Sequence, residues 1–160
     1  MRILGILALI VVAIFVGLMF LGAQGPDTSV YPGRQVPKKY LDELHSLQLL
    51  QDGEQIKYFY SDALVDIKDG LYFVTDRNLV LYSDSWAEPK TIVPLRQIVS
   101  IDAEYSDSFF EDTQVYISTA DGTELCFPVS MEKGLDKRFI EAVQAGSSVG
   151  KDGNSRPNQL

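Results

Sequence analysis

Between residues 51 and 130 three Asp-Gly pairs, Asp52-Gly53, Asp69-Gly70 and Asp121-Gly122, punctuate a stretch whose apolar residues recur at about every second position. Asp-Gly between alternating runs is a turn signal, because glycine accepts the left-handed backbone that tight hairpins require. The spacing predicts seven short strands, over residues 55–61, 71–75, 79–83, 91–94, 98–105, 113–119 and 124–129. The runs LYFVT and LVLYS, joined by Asp76-Arg77-Asn78, form the clearest hairpin. Period two places Val99, Ile101, Ala103 and Tyr105 on one face of the fifth strand. Val115 and Ile117 point inward on the sixth, and Leu125, Phe127 and Val129 on the seventh. Pro128 lacks a backbone donor and so places that last strand at an edge.

Two stretches follow a helical period instead. Residues 37–50 start with Pro37, which suits a first helical position, and carry Tyr40, Leu41, Leu44 and Leu47 on one stripe. Leu135, Phe139, Ile140 and Val143 form a second stripe, expected to close the strands with a helix inside 130–145.

The run from Ile3 to Leu21 contains no charge and no hydrogen-bonding side chain. As a helix it reaches roughly 28 Å, close to the thickness of a hydrocarbon core of about 30 Å. The expectation is a single-pass membrane anchor. A cleaved signal peptide with export of the domain is the alternative, and no cysteine follows closely enough for a lipoprotein. Arg34, Lys38 and Lys39 outnumber Arg2 among the flanking charges, which predicts an inner-membrane protein with its domain facing the cytoplasm. Placement in the periplasm or outside is the alternative. The organisation expected is an anchor over 1–23, a linker over 24–36, a short helix over 37–50, a domain over 51–146 and a disordered tail over 147–160.

Charge narrows the functions open to this domain. The chain of 160 residues has a formal net charge of −8, and residues 36–145 hold ten Lys and Arg against twenty Asp and Glu. Nucleic acid needs a basic footprint and is excluded as an expected partner. Anionic headgroups are repelled in the same way. Cys126, the single cysteine, lies in an apolar run and is expected to be buried. His45, the single histidine, has no second histidine to share a metal or a catalytic proton. Asp107, Glu111 and Asp112 are acidic enough to suggest calcium, but Ser108-Phe109-Phe110 breaks the ligand spacing. Neither a nucleophile–base pair nor a phosphate loop is visible, so the reading is of a protein that is not an enzyme and carries no cofactor or metal.

Three short motifs carry a resemblance: Gly53-Glu54-Gln55-Ile56, Thr75-Asp76-Arg77-Asn78-Leu79 and Leu95-Arg96-Gln97-Ile98. With seven strands and a final helix, the stretch 52–143 resembles the bacterial pleckstrin-homology-like and GRAM-like domains. That resemblance implies a mainly β fold: a seven-stranded, two-sheet barrel capped by a C-terminal helix, here behind a transmembrane helix. It implies a binding module rather than an enzyme. The phosphoinositide-binding members use clustered Lys and Arg near the first strand pair, where residues 57–68 carry Asp62 and Asp66 and no basic cluster, so that ligand is disfavoured. The expectation is docking of a protein or peptide at the membrane surface, with Trp86, Phe109 and Phe110 as candidate partner contacts. Binding of a lipid or small amphiphile at the barrel mouth is the alternative.

Overall fold

The computed structural model describes residues 9–17, 29–106, 108 and 111–149. Its first sheet joins five strands in chain order: β1 (Tyr31–Pro32), β2 (Ile56–Tyr60), β3 (Leu71–Thr75), β4 (Asn78–Tyr82) and β5 (Lys90–Pro94). A second sheet joins β6 (Ile98–Glu104), β7 (Thr113–Thr119) and β8 (Glu124–Val129). Every pairing is antiparallel. Besides the helical residues 9–17 (α1), the helices are α2 (Lys38–Ser46) and α3 (Leu135–Gly146).

Two of the Asp-Gly turns rest on left-handed glycines, Gly53 at φ 76° and Gly122 at φ 87°. Gly70 is extended instead, and its requirement is for space, since a Cβ there would meet the Asp62 carboxylate.

Alternation along the strands divides the core in two. Tyr60, Tyr72, Val74, Leu79 and Leu81 face the second sheet and α3, where Phe139, Ile140 and Val143 complete one apolar cluster. Phe59, Phe73 and Val80 point the other way, onto Tyr40 and Leu44 of α2 and onto Leu49. The central strands of the first sheet are therefore covered on both faces, and all five residues of β3 are buried. This is why LYFVT is apolar without interruption.

Several expectations are corrected. Among the described residues no helix is long and apolar enough to cross a membrane. The helix over 9–17 covers roughly 13 Å, under half a hydrocarbon core, and residues 3–8 and 18–21 of the apolar run lie outside the described residues. The transmembrane anchor, the single-pass description and the inner-membrane placement are withdrawn on that finding. The closed seven-stranded barrel gives way, among the described residues, to two separate sheets holding eight strands. Closure needs the first and last strands to pair, and no ladder joins β5 to β6 or β8 to β1. The added strand, β1, sits in the stretch read as linker, where Gly33 lets the chain pass so near Ile56 that a Cβ would strike its carbonyl.

Cys126 is exposed rather than buried. It stands opposite Tyr116 on the outer face of β8, one position out of phase with buried Phe127 and Val129. Val99 is also exposed, because a register shift between Ile98 and Ser100 turns it away from the core that Ile98, Ile101 and Ala103 face. Pro128 lies on an edge strand, as expected. In the segment read as a tail, Ser147 is fully buried and the Ser148 amide donates to the Ile98 carbonyl at 3.1 Å, while residues 150–160 lie outside the described residues.

Candidate functional site

The register of β2 against β3 sets Tyr60 beside Tyr72. Their rings stack at 6.1 Å, and Tyr72 stacks in turn on Phe127 of β8 at 5.6 Å, bridging the two sheets. Both tyrosines are buried, and a buried phenol needs a partner for its hydroxyl. Tyr60 donates to Asp112 Oδ2 at 2.5 Å and Tyr72 to Asp62 Oδ2 at 3.2 Å. Burial, and then the accepting carboxylates, push both phenols far above the ordinary tyrosine range. The Asp62 carboxyl is also raised, chiefly because burial disfavours its charge and further because Asp112 lies near, while the Tyr72 hydroxyl opposes the shift.

These two aspartates form one wall of a cleft of about 570 Å³. Glu104 and Tyr105 enter from the end of β6, Glu111 from the stretch before β7, and Gln114 from β7 itself. Each carboxylate is held by a hydroxyl: besides the tyrosine pairs, Tyr116 donates to Glu104 at 3.0 Å and Ser106 to Glu111 at 2.7 Å. A neutral donor orients a carboxylate without cancelling its charge. None of the four takes part in an ion pair among the described residues. Lys137 reaches the rim, where its Nζ lies 5.7 Å from the Tyr105 ring centre. Among the described residues no three His, Cys, Asp or Glu converge closely enough to hold a metal ion.

Of the candidate contact residues, Trp86 is 37% exposed in the β4–β5 connection and does not line the cleft. Phe109 and Phe110 lie outside the described residues, as does Asp107. In the β2–β3 connection, Leu64 at 82% and Val65 at 61% are exposed apolar side chains that follow Asp62 and Ala63. His45 is exposed on α2.

The motif residues hold the fold together. Buried Glu54 accepts the Thr75 hydroxyl at 2.5 Å and the Asn78 side-chain amide at 2.7 Å, while its second oxygen takes the Gln51 amide at 3.0 Å. Thr75 in turn accepts from the Arg77 and Asn78 amides, which closes the β3–β4 turn.

No family model matches the chain, and no curated protein matches it. Solved structures do. A DUF1696 family protein with a pleckstrin-homology domain from Shewanella loihica PV-4 aligns at 18% identity and TM-score 0.50, over 74% of this chain and 97% of that one. A pleckstrin-homology domain from Shewanella amazonensis SB2B aligns at 18% identity and TM-score 0.48, over 66% of this chain and 86% of that one. With its two antiparallel sheets and C-terminal helix, the chain has a pleckstrin-homology-like fold.

Proposed function

We propose that this chain is a non-enzymatic pleckstrin-homology-like binding module whose acidic cleft docks a protein segment bearing Lys or Arg. The observation that carries this reading is the set Asp62, Glu104, Glu111 and Asp112: four carboxylates oriented by hydroxyls and lacking ion-pair partners among the described residues. A Lys or Arg side chain entering the cleft gains charge-assisted hydrogen bonds to acceptors already in position. Leu64 and Val65, two and three residues beyond Asp62 and exposed, offer apolar contact to the residues flanking the cation, and protein partners need such contact beyond charge. The net charge of −8 steers cationic segments toward the domain and nucleic acid away from it.

The test is a calorimetric titration of the full chain with a ten-residue peptide carrying two Arg, beside its Glu-substituted counterpart. Binding by the Arg peptide alone, weakened at least tenfold by Asp62→Asn with Glu104→Gln, supports the reading. Equal weakening by Asp42→Asn with Glu88→Gln, two exposed acids that do not line the cleft, reduces it to general attraction by net charge and rejects the site.

A further inference from the structure

The far end of the same strands has the opposite polarity. Asn78 pairs with Pro94, and the Leu95 amide donates to the Arg77 carbonyl at 2.9 Å, so Arg77 and Arg96 are held on neighbouring chains. Both line one hollow of about 400 Å³. It adjoins a second hollow of about 320 Å³, which shares Asp76, Leu95 and Gly146 and adds Lys57 at its rim and Tyr58, Ala142 and Ala145 on its floor. The two form a groove beside the C-terminal half of α3. The helix presents the small residues Ala142, Ala145 and Gly146 there, and Gly146 packs so closely on Leu95 that a Cβ would run into its side chain.

We propose that this groove binds a single-chain anionic amphiphile, with its carboxylate or phosphate head between Arg77 and Arg96 and its acyl chain over Tyr58, Leu95, Ala142 and Ala145. Arg77 in the β3–β4 turn and Arg96 in the turn after β5 are like charges on neighbouring segments, and a shared anion offsets their repulsion. Guanidinium forks match the planar or tetrahedral oxygens of such a head. Asp76 is the acid within the groove, and its charge is already engaged. The Gln55 amide donates to it at 2.9 Å and Arg77 lies 4.0 Å away, which together hold its carboxyl below the usual range. Arg96 is exposed and has no side-chain partner among the described residues. The hollows fall in the range of about 300–1,000 Å³ common to small-ligand sites. In a chain this acidic, the surplus of cations around an apolar floor distinguishes this groove from the acidic cleft.

Decanoate and decyl phosphate, each below its micelle concentration, are titrated into the isotope-labelled full chain and followed by amide NMR, with decyltrimethylammonium as the cationic control. Saturable shifts at Arg77, Ala142, Ala145 and Gly146 are expected with the anions, and the tighter of the two identifies the head chemistry. Arg77→Gln with Arg96→Gln should weaken binding at least tenfold without moving the unfolding midpoint. Ala145→Leu, which fills the floor, should weaken it while sparing the arginines, and this variant carries the test if the double substitution does not fold. An equal response to decyltrimethylammonium, unchanged affinity in these variants, or shifts centred on Glu104 and Gln114 overturns the proposal.

Discussion

Replacing Leu44 by Ala tests whether α2 belongs to the folded domain. Leu44 is fully buried against the outer face of the first sheet, in the cluster that holds Phe59, Phe73 and Val80. The substitution removes three carbons, worth about 0.8 kcal/mol each on transfer from water, or roughly 2.4 kcal/mol. Because the sheet beneath is hydrogen-bonded and collapses little, a cavity cost adds to this and brings the expected loss to about 3–4 kcal/mol. Domains of this size are stable by about 5–15 kcal/mol, so the variant folds but unfolds earlier, by ~4 °C for each kcal/mol. Urea titration of the full chain, followed by far-ultraviolet circular dichroism and by tyrosine fluorescence, measures the loss and shows whether both signals move together. Leu64→Ala, at a side chain 82% exposed, serves as the control and should stay within about 0.5 kcal/mol of the parent. If Leu44→Ala also stays within about 0.5 kcal/mol, or if the helical signal melts separately from the sheet, α2 is an appendage and the two-faced core is wrong.

Glu54→Ala should cost roughly 2–4 kcal/mol, because it strips a charged acceptor from the buried Thr75 hydroxyl and Asn78 amide; Glu54→Gln should recover part of this, both read from urea midpoints. The Asp121 carboxyl is lowered first by the Thr119 hydroxyl and then by the Thr123 amide, so it stabilises the fold above about pH 4 and loses that effect as pH falls through its depressed folded value. Asp121→Asn should therefore flatten the acid limb of the stability profile, and an unchanged limb removes the turn as its source. Asp62 has the opposite sign: its raised carboxyl protonates early on acidification, so affinity for the Arg peptide should begin to fall at a higher pH than an ordinary aspartate would give. Exposed Cys126 should react with a maleimide in the native protein as fast as in urea; protection by folding by more than about tenfold contradicts its outward position.

The strands were legible because their signals are local. LYFVT and LVLYS carry both their period and their turn, and the observed hairpin pairs Leu71 with Tyr82 and Val74 with Leu79. Local pattern does not reveal a register shift: period two puts Val99 on one face with Ile101 and Ala103, and the shift after Ile98 points it to solvent instead. Two residues, Tyr31 and Pro32, carry too little period to announce a strand, and only the partner strand defines it. The acidic cleft was legible only in part. Glu111 and Asp112 stand together in one acidic stretch, but Asp62 and Glu104 come from other elements, and only the fold brings all four to one cleft. Glu54 was visible within its motif, but its role as the acceptor for a turn more than twenty residues away is a fact of the fold.

The division of the core has a consequence for how the chain folds as it is made. Every buried member of the cluster under α2, from Val36 to Val80, lies in the first half of the sequence, whereas the cluster under α3 needs Phe139, Ile140 and Val143 from near its end. Chains emerge N-terminus first, and domains or subdomains whose contacts are complete condense early. A nascent chain that has released β5 already contains α2 and all five strands of the first sheet, so it holds everything needed for the outer core while its inner face waits for β6–β8 and α3. Amide exchange on a fragment ending at residue 94 should then show protection at Leu44, Phe59 and Phe73, with Tyr72 and Leu79 open until the last helix is supplied.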